Sequence, residues 1–352
     1  QPPRDPKKEK LTQFHMDIAA SIQSVTEDIV LKISRYLFEK YKIENLCMAG
    51  GVALNCVANG VLKRNKIFKD IWIQPASGDA GGSLGAALLA YYDDNNERII
   101  KRNTFDNMKS SLLGPSFTDN EVITYLNKLN AKYYKYDEEK IINITSSELA
   151  KGKAVGWFQG KMEFGPRSLG SRSIIANPMI KDMQKNLNLK IKFRESFRPF
   201  APVILFDKVN DWFDMEYHSP YMLFVDFIKN DHRLNTDNIK NNFGIDKLNE
   251  VRSKIPAITH IDYSARIQTV KSDENFKFYK LIDNFYSITN CPILVNTSFN
   301  VRGEPIVCSP SDAFKTFMGT NLDLLVIENC VLYKDQQDKN LITDYKNKYE
   351  LD

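Results

Sequence analysis

Ile18, Ile22, Val25, Ile29, Ile33 and Leu37 recur at steps of three or four, a period that predicts an amphipathic helix over residues 16–40. Two units of one design follow. Residues 46–49 read as a buried strand, Gly50-Gly51 as a turn, and residues 52–66 as a helix. Residues 71–75 read as a second strand, 77–82 as a glycine-rich turn, and the chain beyond as a helix ending near Tyr92. Strand, glycine turn and helix, twice over, predict an α/β layer with both turns at one sheet edge. Ligands bind at such an edge because helix N-termini offer unpaired N–H donors and a partial positive charge.

A polar stretch from Asp93 to about Ser111 leads out of this layer. Residues 118–129 and 146–151 then carry helical patterns, and residues 154–158 a strand. Apolar runs at 203–206, 221–228, 292–296 and 324–333 predict further strands, hence an α+β part with a largely antiparallel or mixed sheet. Residues 229–255 are rich in Asn, Asp and Lys and predict a polar excursion.

Composition changes this picture little. A chain of 352 residues, 43% hydrophobic and 26% charged, fits one large or two ordinary globular domains. A net charge of +4 is too small to demand a nucleic-acid partner. Cys47, Cys56, Cys291, Cys308 and Cys330 form no C-x-x-C pair and read as reduced thiols of a cytoplasmic protein. His15, His218, His232 and His260 show no metal-binding spacing and read as surface or structural residues. No apolar run reaches the ~20 residues that span a bilayer, so no membrane association is expected. The first residues, Gln-Pro-Pro-Arg-Asp-Pro, read as an internal linker more than as a beginning.

The candidate chemistry sits in the arginine- and asparagine-rich stretches at 160–173, 192–202 and 296–305. Arginine grips phosphoryl oxygens through paired charge-assisted hydrogen bonds, and glycine lets backbone N–H groups approach. Arg167, Arg172, Lys192, Arg194 and Arg198 stand among Phe164, Pro166, Leu169, Phe197, Pro199, Phe200 and Pro202, which suits a half-buried wall rather than a solvated face. Only Glu163 and Glu195 stand close enough in sequence to pair with them, so the rest predict a polyanionic ligand. Asn296, Ser298 and Asn300 offer neutral donors and acceptors at a strand end, or form an Asx-type turn. In the first layer, Gly51 and Asn55 fit either nucleotide contact or a tight helix start. Asp79 fits either a metal ligand or a helix cap.

Taken together, Gly50–Asn55, 77–85, 160–173, 192–202 and 296–305 resemble, in order and spacing, the NodU/CmcH family of O-carbamoyltransferases. The resemblance implies residues 1–108 as the C-terminal part of a Gcp-like domain of the actin/sugar-kinase fold, and residues 109–352 as a YrdC-like α+β domain. It implies carbamoyl-adenylate formation from carbamoyl phosphate and ATP with Mg²⁺ in the second domain. The carbamoyl group then passes to an acceptor hydroxyl of a sugar, antibiotic or other natural-product precursor in the first domain. On this reading Arg167 and Arg198 hold carbamoyl phosphate, and Lys192 and Arg266 hold ATP phosphates. Gly170, Asn296 and Ser298 line the adenylate pocket, Gly51 and Asn55 contact nucleotide, and Asp79 binds a divalent metal, expected to be Fe²⁺.

The family's other metal ligands come from an H-x-x-x-H pair, which this sequence lacks, so the N-terminal half is expected to be removed or supplied as another chain. The resemblance also implies a homodimer. Two other readings compete: a tRNA threonylcarbamoylation enzyme, and a non-catalytic nucleotide-binding subunit.

Overall fold

The computed structural model of the protein describes residues 11–94, 107–234 and 250–345, with Arg4, Glu9, Lys247, Leu248 and Tyr349 besides. The predicted first helix is α1, Gln13–Tyr41, ended by Lys42 in the left-handed conformation. Its apolar stripe does not enter the core: Ile18, Ile22, Val25, Ile29 and Ile33 are 50–64% exposed.

The two strand–turn–helix units are present. Strands β1 (Asn45–Met48) and β2 (Asp70–Ile73) pair in parallel and lead towards helices α2 (Cys56–Arg64) and α3 (Asp79–Asp94). Both turns meet at one edge, where the Gly50 N–H donates to the Ser77 carbonyl at 2.8 Å. Two expectations are corrected. Strand β1 is half-exposed rather than buried, because it belongs to a separate two-stranded sheet. The helix predicted over 52–66 is also interrupted. A short 3-10 turn at Gly51–Leu54 ends at Asn55, whose side chain accepts from Ala58 N–H at 3.1 Å and so caps α2.

Past residues 95–106, which lie outside the described residues beside the predicted boundary at 108, the chain builds one large layer. In order come α4 (Asp119–Lys128), β3 (Tyr134–Lys135), α5 (Glu138–Ala150), β4 (Val155–Phe158) and β5 (Arg172–Ala176). Next are α6 (Met183–Asn186), which continues into a π-turn at Leu187–Ile191, then β6 (Ala201–Leu205), α7 (Val209–Trp212) and β7 (Phe224–Phe227). The last elements are β8 (Ser264–Val270), α8 (Phe276–Thr289), β9 (Ile293–Ser298), α9 (Pro310–Gly319), β10 (Leu324–Ile327) and β11 (Cys330–Tyr333). Much of the polar excursion predicted over 229–255, namely residues 235–246 and 249, is outside the described residues.

The nine strands β3 to β11 form a single mixed sheet in the order β3-β11-β10-β4-β5-β9-β6-β8-β7. Only the β10–β4 and β6–β8 pairs are parallel, so the expectation of a mixed sheet holds. Apolar run 324–333 is a hairpin rather than one strand, turning at Glu328, which has positive φ. Strands β4, β5 and β6 are buried at every residue, which suits inner strands covered on both faces. Alternation along β4 sends Trp157 towards Phe278 of α8, with ring centroids 6.5 Å apart, and brings Gly156 against the Phe299 ring. Helices α5 and α8 pack together.

The small first layer is fixed to the large sheet through α2. Asn59 Nδ2 donates to the Leu223 carbonyl at 3.0 Å, and Arg64 Nη1 to the Val225 carbonyl of β7 at 2.7 Å. This docking carries the N-terminus of α2 to the ends of β5, β9, β6 and β8. No helix among the described residues is long and apolar enough to cross a membrane.

Candidate functional site

Three connections converge where those strands end. The first joins β4 to β5 and carries Arg167. Its shape is set by Glu163, whose buried carboxylate accepts the Leu169 and Ser171 N–H groups at 2.7 Å each and the Arg172 N–H at 3.2 Å. Glu163 therefore spends its hydrogen bonds on backbone, and its charge acts on Arg172 without a direct ion pair among the described residues. Arg172 is likewise structural. Fully buried, it donates to the carbonyls of Gln159, Gly160, Ser171 and Pro115 and stacks on Phe158 at 3.5 Å. Burial, only partly offset by Glu163 and Glu328, lowers its pKa to about 10.

The second connection, from the π-turn to β6, carries Lys192, Arg194 and Arg198. Lys192 is buried, and its ammonium donates into the third connection, after β9. The acceptors are the Ser298 carbonyl and hydroxyl (3.1 Å to Oγ), the Asn300 carbonyl at 2.9 Å and Asn300 Oδ1 at 2.8 Å. Burial first, then the Arg194 charge, pull the Lys192 pKa well down, and Glu304 opposes this. With its three protons committed, Lys192 pins the loop that holds Ser298 and Asn300.

These connections enclose a cavity of about 430 Å³. Arg167, Arg194, Arg198 and Arg266 line it together with Asn296 and Ser298, and among the described residues no Asp or Glu side chain does. A neighbouring cavity of about 280 Å³ shares Arg194, Arg198 and Ser298 and adds Lys192, Asn300, Arg302 and one carboxylate, Glu304. The guanidinium groups feel one another. Burial and then Arg266 hold Arg167 down to about 10. Burial and then Arg198 do the same to Arg194, with Arg266 and Arg302 adding to it and Glu195 opposing. Several buried polar atoms here have no partner: Arg167 Nε, Ser168 Oγ and Asn296 Oδ1. Buried donors and acceptors without partners are costly, and a ligand presenting both kinds of group would satisfy them.

Five expected residues thus share the first cavity: Arg167, Arg198, Arg266, Asn296 and Ser298. Lys192, with Arg198 and Ser298, lines the second. The others stand elsewhere. Gly170 lies under the Phe278 ring, outside both cavities, and its carbonyl accepts from Trp157 Nε1 at 3.0 Å. Gly51 is exposed in the 3-10 turn. Asn55 spends its side chain on capping α2 and on Gln23, at 2.9 Å. Asp79 is an exposed residue in the first turn of α3, and no group of three metal-capable side chains exists among the described residues. One exposed carboxylate does not chelate an ion, so the described residues do not fit a metal site at Asp79.

Lining residues with no role expected from sequence include His260 and Cys56, and Arg194 was expected only as one member of the cationic wall. Arg194 had a signal, since it shares a stretch with Lys192 and Arg198. Cys56 enters because it opens α2, which no local pattern reveals. His260 sits in the turn before β8, where its Nδ1 lies 3.1 Å from Ser264 Oγ, and that hydroxyl lies 2.7 Å from Asp262 Oδ1.

The sequence pattern of the carbamoyltransferase N-terminus matches residues 4–88, and that of the carbamoyltransferase C-terminus matches residues 146–334. The protein sll1178 of Synechocystis sp. is 52% identical over 99% of this chain and 57% of its own length. Nodulation protein NolO of Bradyrhizobium diazoefficiens is 38% identical, over 90% of this chain and 54% of its own. Nodulation protein NolNO of Sinorhizobium fredii is 36% identical, over 92% and 45%. The chain therefore spans about half the length of the curated relatives it matches. A structure of full-length HypF in a phosphate- and nucleotide-bound form aligns with a TM-score of 0.33 at 16% identity, over 71% of this chain and 34% of that one. An alignment that loose bears no weight here.

Proposed function

Because this chain belongs to the carbamoyltransferase family, we propose that it carries the part of an O-carbamoyltransferase that activates the carbamoyl group with ATP. The observation that supports this most is the 430 Å³ cavity with four arginines, unpartnered buried Arg167 Nε and Asn296 Oδ1, and no carboxylate among the described residues of its lining. A lining of that kind suits phosphorylated substrates, and two adjoining cavities that share Arg198 suit two of them.

In this reading carbamoyl phosphate is hydrolysed to carbamate and phosphate. A carbamate oxygen then attacks the α-phosphorus of ATP, the bond to the β-phosphate breaks, and pyrophosphate leaves carbamoyl-adenylate behind. Arg167 and Arg198 hold the first phosphoryl group and Arg266 the nucleotide phosphates, with Asn296 and Ser298 contacting the adenylate. Mg²⁺ accompanies ATP as part of the substrate. Lys192 serves by fixing Ser298 and Asn300 rather than by touching phosphate. Residues 1–108 contribute to the acceptor side, where a small hydroxyl-bearing molecule takes the carbamoyl group and AMP leaves. No step in this scheme is routed through a metal at Asp79.

Incubation of the chain with ATP, Mg²⁺ and carbamoyl phosphate is expected to release pyrophosphate and give carbamoyl-adenylate detectable by mass spectrometry. Arg198→Ala should abolish both. A requirement for bicarbonate and threonine instead would move the chain to tRNA modification. Nucleotide binding without any pyrophosphate would make it a regulatory subunit.

A further inference from the structure

Of the steps assigned to the arginine-lined cavity, only one needs a base. Carbamate is already an anion and attacks the α-phosphorus unaided, whereas the water that attacks carbamoyl phosphate must lose a proton. A ring of arginines cannot accept it. His260 stands in the lining of the same cavity as Arg167, Arg198 and Arg266.

The hydrogen-bond network fixes the His260 tautomer. Asp262 Oδ1 accepts both the Ser264 N–H, at 3.0 Å, and the Ser264 hydroxyl, at 2.7 Å. A hydroxyl that has donated its proton to a carboxylate can only accept from its other neighbour, so His260 Nδ1, 3.1 Å away, carries the hydrogen. The lone pair is then on Nε2. That nitrogen has no hydrogen-bond partner among the described residues, on a side chain that lines the cavity. The turn itself is braced by the His260 N–H, which donates to the Ser264 carbonyl at 2.9 Å.

We propose that His260, oriented by Ser264 and Asp262, is the proton acceptor for hydrolysis of carbamoyl phosphate in the arginine-lined cavity. The oxygen of water bonds to the carbonyl carbon while Nε2 takes one of its protons. The carbon–oxygen bond to phosphate then breaks, its electron pair goes to the phosphate, and the imidazolium returns the proton there. The products are hydrogen phosphate and carbamic acid, which ionises to carbamate. The inference rests on the function proposed above and assigns it a residue. His260 is faced by Asp262 on its own turn, by Arg266 on β8, and across the cavity by Arg167, Arg194 and Arg198. Burial lowers its pKa, Asp262 opposes this and Arg266 adds to it, and the net downward shift favours the unprotonated ring.

The test separates the two steps by supplying the intermediate. Pyrophosphate release by the full chain is measured with carbamoyl phosphate and, separately, with freshly dissolved ammonium carbamate. His260→Gln is expected to lose about 100-fold or more with carbamoyl phosphate and to stay within about twofold of wild type with carbamate. The acid limb of the wild-type pH–rate profile, below the ordinary imidazole range, should vanish in the variant. Ser264→Ala, which keeps the ring and loses its orientation, should show an intermediate loss on the carbamoyl phosphate branch alone. Equal loss on both branches, or no loss on either, would overturn the role of His260 while leaving the function standing. A wild-type chain inactive with both donors would overturn the function and the inference together.

Discussion

Gly170 adopts φ +108°, and a Cβ added there would come within 2.2 Å of the Phe278 ring. Gly170→Ala is therefore expected to cost about 3 kcal/mol or more, through overpacking and left-handed strain, measurable by urea unfolding. Arg198 is its opposite. It lines the cavity and is exposed, so its truncation is expected to change stability by no more than about 0.5 kcal/mol and, on the proposed function, to abolish pyrophosphate release. Comparing the two variants tells a packing residue from a ligand-facing one within stretches that look alike in sequence. His260 adds a pH signature. Its folded pKa is lowered from 6.5, so above that value the ring is neutral in both states and the group's contribution is fully present. As pH falls below it, the unfolded chain takes the proton more readily, and stability is lost down through the lowered folded value. His260→Gln should remove that part of the acid slope in unfolding measurements below the ordinary imidazole value of 6.5.

At the scale of elements, the loop that presents Arg167 hangs on one carboxylate. Glu163→Ala would leave three buried N–H groups without their acceptor. We expect a loss of about 2–4 kcal/mol together with a raised KM for carbamoyl phosphate, both larger than in Glu163→Gln, which keeps an acceptor oxygen. Much of the element plan was readable from periodicity, including α1, both strand–turn–helix units, and strands β4, β6 and β9. Less so were β5 and β8. In β8 Arg266 read as site chemistry, and the polar Ser264 and Gln268 interrupted the apolar pattern of a strand in which every residue but Arg266 is buried. Helix α8 buries Phe278, Leu281, Ile282 and Phe285 at helical spacing, but its aromatic content suits a strand equally well. The cationic character of the site was plain in sequence. Which cations face the ligand was not, because Arg172 and Lys192 spend their donors on backbone carbonyls that only the fold brings near.

For the whole molecule, the exposed stripe on α1 is expected to promote self-association. Replacing Ile22 and Ile29, 64% and 50% exposed, by Gln should leave the unfolding midpoint nearly unchanged and reduce self-association measured by light scattering. The arginine-lined cavity has a wider effect. Burial and then neighbouring guanidinium charges lower the pKa of Arg167 and Arg194, a repulsion that unfolding releases, so a polyanion that screens it is expected to act as a folding partner. At a concentration 100 times its dissociation constant, such a ligand adds about 2.7 kcal/mol to the unfolding free energy. Tripolyphosphate should raise Tm well before sodium chloride of equal ionic strength does. The heat resistance of this protein is in that sense partly a property of its buffer: a preparation in phosphate and one in acetate would behave as two proteins of different stability.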